Sequence, residues 1–239
     1  LKKVMLDPGH GGKDSGAVGN SLKEKEIVLA ISQYAKRFLE TQYQGVEVRL
    51  TRADDRFIPL NERAQLANDW GADVFVSIHI NAGGGSGFET FRSKSANDLT
   101  VTLQNTLHNE ILKSMNIVSP IKDRGRQQAN FLVLRQTAMP AVLTENLFID
   151  SGDSRQLKDQ AFLKATGEAH AKAIATFLKL TAVPSKGGTE VSPQKGYSTE
   201  LAKAVEWAKK EGISDGQRVN EPATRGEILI MLYRALANK

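Results

Sequence analysis

The sequence predicts an α/β domain with a mainly parallel sheet over residues 1–180, a linker over 181–196 and a small helical module over 197–239. Three observations carry this. From Lys3 to Leu180, short β-branched apolar runs alternate with longer stretches of helical periodicity. Residues 181–196 (TAVPSKGGTEVSPQKG) are rich in Pro, Gly, Ser and Lys and hold few large apolar side chains, so they read as a flexible connection with little to bury. Beyond them the apolar spacing is helical only.

In chain order, the expected strands are Val4–Leu6, Val46–Leu50, Val74–Ile78, Phe131–Leu134 and Ala141–Thr144. Between them, Ile27, Ile31, Tyr34 and Phe38 form one helical stripe, and Leu99, Leu103, Leu107 and Ile111 form another. Spacing of three to four residues puts each set on one helix face. A last long helix is expected from about Ala161 to Leu178. In the C-terminal module, Leu201, Val205 and Ala208 mark one helix, and Ile228, Leu232 and Leu236 a second. Thr224 and Glu227 have capping-box spacing at the start of the second, and Asp215-Gly216 suits the turn between the two.

A chain of 239 residues is long enough for one well-buried domain and a small appendage. No apolar run approaches the roughly 18 residues of a membrane span, so a soluble chain without membrane insertion is expected, and it reads as a monomer. Cysteine is absent, which excludes disulfides, thiolate ligands and a Cys nucleophile. A net charge of +5 and a pI near 9.3 favour an anionic partner. The basic residues are scattered, without an aromatic RNA-binding pattern or zinc-finger spacing, so nucleic acid is the poorer match among polyanions. Leu1 to Asp7 already read as strand, so no secretory leader is expected within these residues.

The strongest local signal is Asp7-Pro8-Gly9-His10-Gly11-Gly12, a strand running into a glycine-rich turn with a histidine at its tip. It is no phosphate loop: Asp14 follows Lys13 where Ser or Thr is needed, and the glycine spacing differs. Val74–Asn81 (VFVSIHIN) is a second strand ending in a histidine. Ligand sites of parallel sheets gather beyond the carboxyl ends of the strands, which brings His10 and His79 to one edge and points to a metal. Glu24, at the start of the helix after the first strand, could supply a third ligand. Its place three residues after Ser21 equally fits a capping box, and Glu26 is an equally acidic neighbour. Glu145 ends the apolar run 141–144. Beside a three-ligand metal that keeps one position open for water, it could act as general acid/base; alone, it is a carboxylate at a strand end.

The remaining polar residues divide further. Asp7 could orient His10 from behind, or cap its strand. His108 and His170 fall in helices without a motif and read as ordinary helix residues. Gly83 to Gly87 would make a mobile rim or a plain connecting loop. The glycines near Ser86 are out of register for a G-x-S-x-G elbow, which excludes a serine triad.

Taken together, DPGHGGKDSGAVGNSLKEKEIVLA, RADDRFIPLNERAQLAN, VFVSIHINA, DRGRQQANFLVLR and MPAVLTEN resemble, in order and approximate spacing, the zinc-dependent N-acetylmuramoyl-L-alanine amidases. The likeness is greatest to compact members among phage endolysins and sporulation-associated lytic enzymes, and it covers residues 1–180. It implies a central twisted, mainly parallel sheet of about six strands flanked by helices. It implies Zn2+ held by His10, Glu24 and His79, choosing Glu24 over Glu26, and Glu145 as the catalytic carboxylate. The reaction implied is cleavage of the amide joining N-acetylmuramic acid to L-alanine, with the glycan left intact. Asn81 and Arg135 are implied substrate contacts, Arg135 through paired hydrogen bonds to a stem-peptide carboxylate. Arg63 and Asn68 also match, though helix packing or capping explains them as well.

One departure is Asn146-Leu147, where many relatives carry a glycine soon after the glutamate; it bears on groove shape more than on chemistry. Tyr197 to Asn238 resemble a single S-layer-homology-like unit, which implies attachment to wall polymers. The partners implied are peptidoglycan and anionic cell-wall polymers, and the place is extracellular or in the cell wall, reached through a holin or cell lysis. Two alternatives stand beside this: another zinc-dependent wall hydrolase, either a peptidase or a deacetylase, and a non-catalytic wall-binding protein on the same scaffold. The second would be expected to lack a ligand or the glutamate, yet all four residues are present.

Overall fold

The computed structural model describes residues 1–184, and Leu1–Val183 form one compact unit. Its first half runs β1 (Lys2–Pro8), β2 (Val18–Gly19), β3 (Leu22–Lys23), α1 (Glu24–Gln42), β4 (Val46–Leu50), α2 (Leu60–Trp70) and β5 (Val74–Asn81). The second half runs β6 (Phe88–Ser93), α3 (Asp98–Val118), β7 (Asp123–Ala129), α4 (Leu132–Arg135), β8 (Ala141–Phe148), α5 (Ser154–Leu157) and α6 (Gln160–Leu178). Six strands form one sheet in the order β4-β1-β5-β8-β6-β7, and β2 and β3 pair as a small hairpin. The pairs β1/β4, β1/β5, β5/β8 and β6/β7 are parallel; β6 runs antiparallel to β8. The sheet is thus the mainly parallel, helix-flanked one expected.

Alternation along the strands divides the core in two. Val4, Leu6, Val74, Val76, Ile78 and Val142 face a large core with Ile27, Val28, Ile31, Leu103, Leu107, Ile111 and Ile174 from α1, α3 and α6. Met5, Phe75, Ala141 and Leu143 face a smaller one with Ala67 of α2 and Val133 and Leu134 of α4. The second face is covered only by short helices. On it, the same parity carries Met5 to Asp7, Phe75 to Ser77 and His79, and Leu143 to Glu145, so polar side chains line up toward the carboxyl ends.

Several expectations need correcting. Phe131–Leu134 is not a strand: Phe131 precedes a single helical turn, α4, whose Val133 and Leu134 fill the smaller core. A run of four apolar residues carries no period that separates strand from helix. The sheet instead gains β6 (FETFRS) and β7 (DRGRQQA). β7 is an edge strand and largely exposed, so it needs no apolar alternation. The α3 stripe starts one turn late, since Leu99 is exposed while Leu103, Leu107, Ile111 and Met115 are buried. Residues 181–183, assigned to the linker, bond back to the end of α1 through Gln44 N–H to Thr181 O and Val183 N–H to Gln42 O. The rest of the linker and the module at 197–239 lie outside the described residues.

Candidate metal and catalytic site

His10 follows β1 in a left-handed conformation, φ 59°, that side-chain-bearing residues rarely adopt. Two buried arginines hold it there. Arg63, from α2, donates to Asp7 Oδ1 (2.8 Å), Pro8 O (2.7 Å), His10 O (2.6 Å) and Ile58 O (2.9 Å). Arg52 donates to the carbonyls of Pro8, Gly9, Asp54 and Lys25. Asp7 therefore does not reach His10: it is buried and bonded to Arg63, Thr51 and Ser77. Burial alone would raise its carboxyl, but Arg63 and the two hydroxyls outweigh that and hold it below the usual carboxylate range. The partner of His10 is Asp14, whose Oδ2 lies 2.9 Å from Nδ1. That bond leaves Nε2 of His10 for another partner.

Glu24 opens α1 without a capping box, for the N-cap is Lys23 and makes no side-chain bond. Its carboxylate is buried and takes N–H groups from Ala17 (2.8 Å) and Ile80 (2.9 Å). Oε2 lies 3.1 Å from His10 Nε2, and Oε1 lies 2.9 Å from His79 Nδ1. Glu26 is exposed and faces Lys23, so it takes no part. Ligand atoms of His10, Glu24 and His79 all lie within 4.8 Å of one another. In a tetrahedral zinc site with metal–ligand distances near 2 Å, ligand atoms stand about 3.3 Å apart, so this donor set fits such an ion. The surrounding glycines are required by contact: a Cβ on Gly9 would stand 2.3 Å from the His79 ring, and one on Gly16 2.6 Å from Glu24 Oε2.

The electrostatics follow from this packing. Burial favours the neutral form of all three groups. Glu24 is nonetheless held far below the usual range by the two imidazoles, and both imidazoles are raised by Glu24, with Asp14 assisting at His10 and Glu145 at His79. Glu145 stands directly across the β5/β8 ladder from His79 and across the β8/β6 ladder from Glu89. Burial, reinforced by Glu24 and Glu89 and opposed by His79, pushes its carboxyl up to about 7. Its Oε2 is buried with no hydrogen-bond partner among the described residues. A carboxyl titrating near neutrality beside a metal-competent cluster is suited to accepting and returning one proton.

Asn81 reaches the same neighbourhood, donating from Nδ2 to Glu89 Oε1 at 2.7 Å. Arg135 does not: it is exposed, bonds Asn130, and lines a cleft of about 150 Å³ with Ser93, Asn97 and Ala141. Ala141 begins β8, four residues or about 13 Å of strand before Glu145. Asn68 joins α2 to the Gln136–Ala138 loop. His108 and His170 are buried away from the cluster, His108 between Thr90 and Asp123, His170 between Thr144 and the Thr166 carbonyl. The Gly83–Gly87 loop is tethered, with Gly83 and Gly84 N–H on Asp150 and Gly87 N–H on Asp153.

Sequence reasoning missed Asp14, Glu89 and Arg52. Asp14 had a signal, four residues after His10 in the same glycine-rich loop. Glu89 lies on β6, which was not among the expected strands, and Arg52 follows an expected strand but bonds backbone carbonyls that no spacing marks.

Comparison with known proteins shows the family. Residues 4–176 match the family described as N-acetylmuramoyl-L-alanine amidase. The chain is 51% identical over 208 residues to the endolysin of Bacillus phage SPP1, spanning 85% of this chain and 75% of that protein. It is 42% identical over 188 residues to the sporulation-specific N-acetylmuramoyl-L-alanine amidase of Bacillus subtilis (strain 168), spanning 78% of this chain and 72% of the relative. Among solved structures, the catalytic domain of CwlV, an N-acetylmuramoyl-L-alanine amidase from Bacillus(Paenibacillus) polymyxa var.colistinus, superposes with a TM-score of 0.70 at 35% identity, covering 76% of this chain and all of that one. The chain belongs to the N-acetylmuramoyl-L-alanine amidase family.

Proposed function

We propose that the chain hydrolyses the amide between N-acetylmuramic acid and L-alanine in peptidoglycan, with zinc held by His10, Glu24 and His79 and with Glu145 as general acid/base. The observation that carries this reading is the juxtaposition of a two-histidine, one-carboxylate cluster with the half-buried Glu145, raised to about 7 and with its buried Oε2 lacking a partner among the described residues. Zinc held by these three residues would supply a Lewis acid for the scissile carbonyl and would acidify water. Glu145 takes the proton of the attacking water and returns it to the departing alanine nitrogen. Asp14 and Glu24's two backbone donors keep the donor atoms aimed, and Arg52 and Arg63 hold the loop that carries His10.

A polymer must reach the site from solvent, to which the His10 and His79 side chains are 24% and 18% exposed. No helix among the described residues is long and apolar enough to cross a membrane. We assign residues 197–239 to anchoring on anionic wall polymers, which raises substrate concentration without adding catalytic contacts. Action in the cell wall follows from that substrate.

The test is digestion of defined peptidoglycan by wild type and Glu145→Ala, with and without a chelator, read by mass spectrometry. Wild type should free the alanine amino terminus only when zinc is present. Glu145→Ala should lose at least about 100-fold in rate, the low end for a general acid/base, with bound zinc unchanged. Loss of zinc along with activity would contradict the role given to Glu145, and released acetate would indicate a deacetylase.

A further inference from the structure

Arg124 stands on the edge strand β7, one strand beyond Glu89 and two beyond Glu145. Its side chain is 31% exposed, and it is pinned on two sides. Nε donates to Glu89 Oε1 at 3.0 Å. The guanidinium lies over the Phe148 ring, 4.8 Å from its centroid. Glu89 is itself fixed, with a second bond from Asn81 and Glu145 directly opposite. This leaves the terminal nitrogens, Nη1 and Nη2, without an acceptor among the described residues. Arg52 and Arg63 differ, for backbone carbonyls and Asp7 occupy their nitrogens.

A flat, oriented guanidinium whose outer pair of N–H donors is free matches the two oxygens of a carboxylate. The Glu89 bond and the Phe148 contact hold the group before any ligand arrives, so little side-chain freedom remains to be lost on binding. The chemistry of the substrate narrows the source. Around the scissile bond the muramic acid carboxyl is already consumed in the amide, and the sugar offers only hydroxyl and acetamido groups. Carboxylates within reach belong to the peptide stem. We propose that Arg124 binds a stem-peptide carboxylate and so sets the enzyme's preference for stems that carry it free over stems in which it is amidated. This rests on the amidase reading above, and it moves the role first assigned to Arg135 to a residue beside the site.

The experiment compares two soluble muramyl peptides, one with free stem carboxylates and one with the same groups amidated, on the full zinc-loaded chain. A charge-assisted pair is expected to give the wild type about 10- to 100-fold higher kcat/KM on the free acid, mostly through KM. Arg124→Gln should erase that ratio while still turning over the amide, and Arg124→Lys should keep part of it. Because the readout is a ratio within each active variant, a general loss of activity cannot imitate it. An Arg124→Gln enzyme that retains the wild-type ratio would overturn the proposal, as would a wild type that cleaves both peptides equally well. If the wild type frees no alanine amine from either peptide, the amidase reading falls and this proposal with it.

Discussion

Replacing Arg63 by Met should be among the most damaging single changes in the domain, and the structure says how much. The Arg63–Asp7 pair is buried, with side chains 2% and 1% exposed at 2.8 Å. Met fills most of the volume but donates nothing. Asp7 would keep only the hydroxyls of Thr51 and Ser77, and the carbonyls of Ile58 and His10 would lose the Arg63 donor. Removing one partner of a buried pair costs about 3–5 kcal/mol. For a domain of this size, that corresponds to a fall in Tm of roughly 6–20 °C, at about 2–4 °C per kcal/mol. The assay is urea unfolding followed through tryptophan fluorescence of a chain ending at residue 184, in which Trp70 is the one tryptophan left, under chelating conditions so that zinc linkage does not enter. Pairing Arg63→Met with Asp7→Leu removes the orphaned carboxylate, and the double variant should recover at least about 2 kcal/mol of the summed single losses. A cost below about 1 kcal/mol, or strict additivity in the cycle, would refute the claim that this pair holds the His10 loop.

Two further expectations can be checked directly. His170 is lowered by burial to about 4 from 6.5; its Nδ1 must donate to the Thr166 carbonyl, so Nε2 accepts from the Thr144 hydroxyl and the ring is neutral. The unfolded chain takes up that proton first on acidification, so its contribution is full above pH 6.5 and declines by roughly 3 kcal/mol as pH falls toward 4; His170→Gln should flatten that limb of the stability curve, and parallel curves would dismiss the account. Anchoring by residues 197–239 predicts that a chain ending at residue 184 sediments less with purified walls than the full chain while cleaving soluble muramyl peptides equally fast; equal sedimentation would exclude it.

What could be read from the residues depended on whether a feature was local. His10 and His79 sit at the ends of apolar runs, so strand pattern and the rule about parallel sheet edges were enough to bring them together. Glu24 and Glu26 were indistinguishable by pattern, because what separates them is which helix face meets the sheet edge, fixed only once α1 packs. Asp7 could have oriented His10 from behind or capped its strand; strand parity instead turns it toward Thr51, Ser77 and Arg63. β7 escaped notice because its stability comes from ladder pairing and cross-strand polar contacts such as Arg124–Glu89, which leave no apolar signature; β6 escaped because its core side chains, Phe88 and Phe91, stand three residues apart, which is not the period of a strand. Arg135 shared a family-like segment with the site, but a one-turn helix carries it to the other end of β8.

The departure at Asn146-Leu147 links these pieces. Leu147 has φ 73°, a conformation glycine takes freely and a branched side chain resists. It coincides with a break in the β5/β8 register, where His79 pairs with Glu145 but Asn81 pairs with Phe148. An extra residue in a strand reverses the facing of everything after it. Before the break, Val142 faces the large core and Glu145 the site; after it, Leu147 and Ile149 face the large core. Phe148 is thereby turned to the site's side of the sheet, where it packs under Arg124 and against Gly85. Full burial of the Leu147 side chain offsets the backbone strain, which a glycine would avoid without filling the core. The bulge thus places the raised Glu145 carboxylate and the shelf beneath Arg124 on one face of a single strand, three residues apart, a spacing that regular alternation forbids.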